Sequence, residues 1–154
     1  MADELTHRGI AARNFNYSWE LLKRDRTDDE DLELLEVAFA SRHHWRAEGN
    51  AAEQIAVADW MVSRCFAELG DGPLAVRFAA AALAAEPDGA PVWMRASFQE
   101  GLARAHAANG DKRGRDEAVV RAAVILVDEP SEKNRELIEE QLASVPECGA
   151  EGRI

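Results

Sequence analysis

The stretch from Ala56 to Gly89, AVADWMVSRCFAELGDGPLAVRFAAAALAAEPDG, limits the possible folds more than any other part of the chain. Its apolar residues recur at helical spacing through Met61, Val62, Cys65, Phe66 and Leu69. Gly70 then supplies a C-terminal stop, and Asp71 is a side-chain cap for a second helix. Pro73 is tolerated because the N–H groups of a first helical turn have no partner within the helix. The second helix is mostly alanine, which favours the helical state and lets a neighbouring helix approach closely. Pro87 ends it. A helix, a tight break and a second helix make an antiparallel hairpin.

The rest of the chain reads as variations on this unit. A first helix is expected over 14–24, with Phe15, Trp19 and Leu22 on one stripe; residues 1–13 show no period and are expected to be flexible. Thr27 and Glu30 form a capping box for a second helix over 28–47. In it Leu32, Leu35 and Phe39 lie on one stripe and Leu34, Ala38 and Trp45 on the next, which predicts burial over a wide arc. Gly49 ends that helix, and Asn50 is expected to cap a third over 51–69. A fifth helix follows over 91–108. The segment AVVRAAVILV within 116–127 is apolar nearly all round, as a buried helix would be. Ser131 caps a last helix to Ser144 with one apolar and one charged face, suited to closing a stack. The tail 146–154 is expected to be flexible.

Gly70-Asp71 returns as Gly110-Asp111, and Ala75 precedes Pro87 by the same interval as Ala118 precedes Pro130. Between the glycine and the alanine the second copy is longer, which predicts an insertion in the turn around Arg113-Gly114-Arg115. In the first copy the recurring positions are Val62-Ser63, Phe66, Gly70, Ala75, Ala82 and Pro87. In the second they are Leu102-Ala103, His106, Gly110, Ala118, Ile125 and Pro130. This pattern resembles the tetratricopeptide repeat (TPR) family. AFASRHHW, followed by a helix of this kind, is also similar to a group of small bacterial TPR-like proteins. The resemblance implies an all-α fold, with antiparallel hairpins at 14–47, 51–87 and 91–130 stacked as a short right-handed superhelix within one domain, 14–145, and a capping helix over 131–144. It also implies a concave groove, lined by the first helix of each hairpin, that takes a peptide or protein partner.

Composition narrows the function classes. Twenty-nine acidic against 18 basic residues give a net charge of −11. Nucleic acid and anionic membrane surfaces are therefore not expected partners. No apolar run is long enough to span a bilayer, and the N-terminal stretch lacks the apolar core of a secretory leader. Cys65 and Cys148 read as free thiols of a reducing, cytoplasmic compartment.

Helical spacing assigns Val57, Trp60, Arg64 and Glu68 to the groove face in the first copy, and Ser97, Glu100, Arg104 and Ala108 in the second. Arg64 and Arg104 occupy equivalent positions. Two guanidinium groups in line could hold a carboxylate or phosphate, with Trp60 beside them. Trp60, Arg64, Glu68, Glu100 and Arg104 are therefore the expected partner contacts. The same residues also have a structural reading, because Arg64/Glu68 and Glu100/Arg104 are i,i+4 pairs that support a helix. No phosphate loop, nucleophile arrangement or metal-ligand spacing stands out, so no enzyme, cofactor or metal is expected. Two other readings stay open: a small-molecule or metal-dependent enzyme built around His43, His44 and His106, and a self-associating structural subunit, for instance a homodimer. His106 is expected to replace a core aromatic residue.

Overall fold

The computed structural model describes residues 5–148. The chain is all-α, with seven helices and no strand among the described residues. They are α1 (His7–Leu22), α2 (Asp28–Glu48), α3 (Ala52–Glu68), α4 (Gly72–Ala84), α5 (Val92–Ala108), α6 (Lys112–Leu126) and α7 (Glu132–Ala143). None is long and apolar enough to cross a membrane. The most extensive contacts pair consecutive helices: α1 with α2, α3 with α4, and α5 with α6. The pairs stack through α2 on α3 and α4 on α5. The odd-numbered helices also touch in turn, ending with α7 on α5, so they form one layer against which the even-numbered helices pack.

Small residues let each pair close up. Ser63 donates its hydroxyl hydrogen bond to the carbonyl of Ala75 at 2.7 Å, and Ala75, Ala79 and Ala82 are buried along α4. Ser41 does the same from α2 to the carbonyl of Ala11 on α1 at 2.8 Å. Ala103, Ala118 and Ala122 are buried between α5 and α6. Beside these close contacts an aromatic trio joins the first two pairs. The rings of Phe39, Phe66 and Phe78 lie 5.6–5.9 Å apart, two contacts edge-on and one stacked.

The structure corrects several expectations. α1 begins at His7 rather than Asn14, started by Thr6, whose side chain accepts from the N–H of Gly9. Its first turns carry little large apolar surface, and Ala11 is buried because it is small. Asn50 does not cap α3. The cap position is Ala51, without a side-chain bond, while Gly49 and Asn50 both take positive φ to turn the chain. The expected wide arc of α2 is covered, with Leu34, Ala38, Ser41 and Trp45 buried, Leu35 packed on the core and Phe39 against Phe66 and Phe78, except at Leu32, which is exposed.

The extra residues of the second copy are not in a turn. Asp111 caps α6 through the N–H of Gly114, as Asp71 caps α4 through that of Leu74. The three residues therefore become most of an extra helical turn. α6 is not a buried helix either: Ala118, Ala122 and Leu126 pack inward, while Val120, Val124 and Val127 face outward. It is the end of its layer, and only α5 and α7 touch it. Of the expected flexible tail, residues 146–148 are described. Arg115 donates to the Pro146 carbonyl at 3.1 Å, and Cys148 Sγ sits 3.9 Å from the Ala107 carbonyl oxygen. Residues 149–154 lie outside the described residues, as do residues 1–4.

Candidate functional site

The odd-numbered layer carries a groove of about 650 Å3. One wall is α1, with Phe15, Asn16, Trp19, Glu20 and Lys23; the other is α7, with Asn134, Leu137, Ile138 and Gln141. The floor comes from Val57 and Trp60 of α3 and Trp93 and Ser97 of α5. A second hollow of about 340 Å3 continues from it and shares Phe15, Asn16, Val57 and Trp93. Trp45 lines that second hollow, so each of the four tryptophans of the chain borders one or both of two adjoining hollows. Their base is apolar and aromatic, and most of their polar lining is amide or hydroxyl. Glu20 and Lys23 bring opposite charges to the larger groove.

A close approach of helices shapes the floor. A Cβ on Gly101 would lie 2.5 Å from Trp60 Cδ1. The Cδ1–Nε1 edge of the indole therefore abuts the backbone of α5, and glycine is what permits it. Trp60 is 7% exposed and its ring N–H has no hydrogen-bond partner. Its ring centroid is 5.7 Å from that of Trp19.

Of the five residues expected to contact a partner, Trp60 lines the groove. The other four are held by the protein itself. Glu100 is completely buried. Its Oε1 accepts from Arg104 Nε at 2.9 Å, from Arg104 Nη2 at 2.6 Å and from Arg64 Nη1 at 3.3 Å. Its Oε2 has no partner. Arg104 also reaches the Gln141 carbonyl at 3.1 Å and Ser144 Oγ at 2.9 Å on the α7 side. The Arg64 guanidinium lies over the Trp19 ring, 4.9 Å from its centroid, where the sequence pattern had suggested Trp60. Burial pulls the Arg64 pKa down from its ordinary value, and Glu100 offsets part of that. Glu68 sits at the exposed end of α3 and pairs with Arg26 Nη2 at 3.5 Å.

The two arginines are thus in line, as their equivalent positions imply, but a carboxylate of the same chain lies between them. The resulting chain of contacts, Trp19–Arg64–Glu100–Arg104–Gln141, crosses the whole layer from α1 to α7. It fixes both groove walls to the floor. Reversing the charge of both arginines would place three carboxylates in one buried cluster, so such a variant reads stability before it reads binding.

The histidines form no common site. His7 Nδ1 and His44 Nδ1 are 2.8 Å apart, joining α1 to α2, and His43 packs edge-on against His44. His106 lies at the other end of its hairpin, half-buried, with Nδ1 3.2 Å from Asp111 Oδ2. It sits in the last turn of α5 beside Asp111 rather than replacing a core aromatic residue, and a side chain on Gly114 would collide with it. Among the described residues no group of three or more His, Cys, Asp or Glu is placed to hold a metal ion. Asp59 is paired with Arg42 at 2.5 Å. Burial pushes the Cys65 thiol up to about 12, which leaves it unreactive at neutral pH.

In the sequence Phe15 and Trp19 stand out only as members of the α1 apolar stripe, and nothing marks Trp93, Leu137 or Gly101 as lining a groove. One signal was available: Trp19, Trp60 and Trp93 all fall on first helices of hairpins. Comparison with known proteins finds no matching family model, no significant match among curated proteins and none among solved structures.

Proposed function

We propose that this protein is a TPR-like interaction module that binds a peptide segment of a partner protein in the groove between α1 and α7. The observation that carries the reading is the concentration of all four tryptophans on two adjoining hollows lined by five different helices. Buried aromatic residues are the commonest anchors of protein interfaces, and tryptophan leads them. A soluble protein with no such role gains little by arranging its largest apolar side chains around an open groove.

Three consecutive hairpins with serine or alanine at their contacts, and one closing helix, support the TPR-like part of the reading. On this account the partner's main anchor is a large apolar side chain seated on Trp60 and Trp93. Asn16, Asn134 and Gln141 offer both donors and acceptors to its backbone. The Arg64–Glu100–Arg104 cluster does not touch the partner but holds the walls at their separation. The protein acts without catalysis, in a reducing cytoplasm where Cys65 and Cys148 remain thiols.

The test is selection from a displayed peptide library on the intact chain. Leu137 is 52% exposed on the α7 wall, so Leu137→Glu alters the groove without disturbing the core. The expected result is a set of peptides sharing a large apolar residue, with affinity for Leu137→Glu reduced about tenfold or more, equivalent to roughly 1.4 kcal/mol. Helicity should be unchanged. Peptides that bind equally well to Leu137→Glu and Trp93→Ala would refute the groove as the site.

A further inference from the structure

The groove floor holds one polar group that the chain itself does not use. Four serines are buried among the described residues: Ser18, Ser41, Ser63 and Ser97. Three of them donate to a backbone carbonyl, Ser18 to Asn14 at 2.9 Å, Ser41 to Ala11 at 2.8 Å and Ser63 to Ala75 at 2.7 Å. A serine inside a helix either bonds a carbonyl one turn back, as Ser18 does, or turns out to bulk water. Ser97 does neither. It is 8% exposed, and its hydroxyl has no hydrogen-bond partner among the described residues. The Trp60 ring N–H is sealed from solvent, whereas the Ser97 hydroxyl is not sealed and lines the groove. A hydroxyl withdrawn from water without a partner is costly, and a group docking from outside can complete it.

The surroundings of that hydroxyl are aromatic. Trp93, Ser97 and Gly101 lie four residues apart on one row of α5, and the edge of the Trp60 indole abuts that row at Gly101. Ser97 thus stands between two indoles, with Phe15 and Trp19 on the α1 wall facing the same space. The charged groups of the groove, Glu20 and Lys23, belong to that wall and not to the floor. An occupant that suits this floor is aromatic over most of its surface, neutral, and polar at one tip. We propose, resting on the groove as the docking site, that the side chain seated on Trp60 and Trp93 is a tyrosine of the partner whose phenol pairs with Ser97. Its ring supplies the apolar area and its tip carries the one polar atom. Phenylalanine or leucine would cover the rings but shut in the hydroxyl without a partner. An indole only donates, whereas a phenol both donates and accepts, so it matches a serine in either role. A charged tip would give up its hydration for a single neutral hydroxyl.

The test titrates N-acetyl-tyrosinamide and N-acetyl-phenylalaninamide, which differ by one oxygen, into the full chain. Binding is followed by heteronuclear NMR on the indole N–H resonances of the four tryptophans. Both amides should shift the Trp93 resonance, and the tyrosine amide should bind about fivefold more tightly, the ratio that one neutral hydrogen bond supplies. In Ser97→Ala the two should bind equally, with the phenylalanine amide as in wild type. The variant loses no bond within the chain, so it should unfold at the wild-type midpoint, whereas Ser63→Ala should unfold earlier. Equal affinity of the two amides for wild type, or a preference that survives Ser97→Ala, would overturn the tyrosine assignment and leave the groove standing. A midpoint lowered as far by Ser97→Ala as by Ser63→Ala would overturn it as well, because the hydroxyl would then be used within the fold. A tryptophan amide that loses the same factor in Ser97→Ala would assign the anchor to an indole instead. Shifts absent for both amides, or unchanged affinity in Trp93→Ala, would overturn the groove and the assignment together.

Discussion

At Gly101 two effects of opposite sign meet. Replacing an interior helical glycine by alanine gains roughly 1 kcal/mol of helix propensity. Here the new Cβ would lie 2.5 Å from the edge of the Trp60 indole, and overpacking of a fitted core costs about 1–3 kcal/mol. The ring is rigid and braced by Trp19, so overpacking wins. Gly101→Ala should lower stability by about 1 kcal/mol in denaturant unfolding and shift the tryptophan emission. An unchanged midpoint and spectrum would contradict the account of the floor. Glu100 is the larger case. Glu100→Ala leaves two buried guanidinium groups without their carboxylate, and breaking a buried pair in this way costs about 3–5 kcal/mol. Glu100→Gln keeps the volume and one acceptor and should cost less. If Glu100→Ala unfolds at the wild-type midpoint, the network is not holding the layer together. The pairing of Glu100 with Arg104 was legible as an i,i+4 spacing. The share of Glu100 taken by Arg64 was not, because it depends on how closely α3 packs on α5, and Gly101 sets that distance.

At the level of elements, local chemistry was legible where it is self-contained. The capping box of α2 forms as the residues predict, with Thr27 Oγ1 accepting from the Glu30 N–H at 3.2 Å and Glu30 Oε2 accepting from the Thr27 N–H at 3.0 Å. Thr27→Ala should cost about 1 kcal/mol, measured as a shift in unfolding midpoint. The start of α1 was not legible, since its anchors are a small residue, Ala11, and a histidine that meets another 37 positions away. That contact has a pH signature. Burial first, and then His7 and His43, hold the His44 pKa below its usual value. The unfolded chain therefore takes up a proton at this site before the folded one does, and stability that is complete above the ordinary histidine value falls as pH drops through it. Arg8 and Glu48, paired at 3.4 Å, sit beside the same junction. Unfolding midpoints followed from about pH 7.5 to 5 should fall for wild type and fall less for His44→Gln. Parallel curves would show that the α1–α2 junction does not carry the proton. The burial of α6 was misread for a related reason: an all-apolar helix can be buried on every side or sit at the end of a layer, and composition does not distinguish the two.

For the molecule as a whole, the order of hairpins follows from the recurrence of Gly-Asp and Ala-Pro intervals, and the two-layer stack follows from small residues placed where helices cross. The groove is different. Its residues come from α1, α3, α5 and α7, separated by most of the chain, and its shape depends on the angle between hairpins, which no local spacing specifies. Of the expected ligand contacts, Arg64, Glu100 and Arg104 brace that shape, while Trp93 and Leu137, which no sequence spacing marks, line it beside Trp60. The net charge of −11 adds a long-range preference for neutral or basic partners. The central claim is that this groove is where a partner docks. The most direct measurement is site-specific photo-crosslinking in an extract of the cells that make the protein, with the crosslinker at Leu137 on the groove wall or at Arg77 on the outer layer. The account predicts one discrete crosslinked partner from Leu137, none from Arg77, and loss of the Leu137 product when Trp93→Ala is added. Equal crosslinking from both positions, or a discrete product from Arg77 alone, would contradict it.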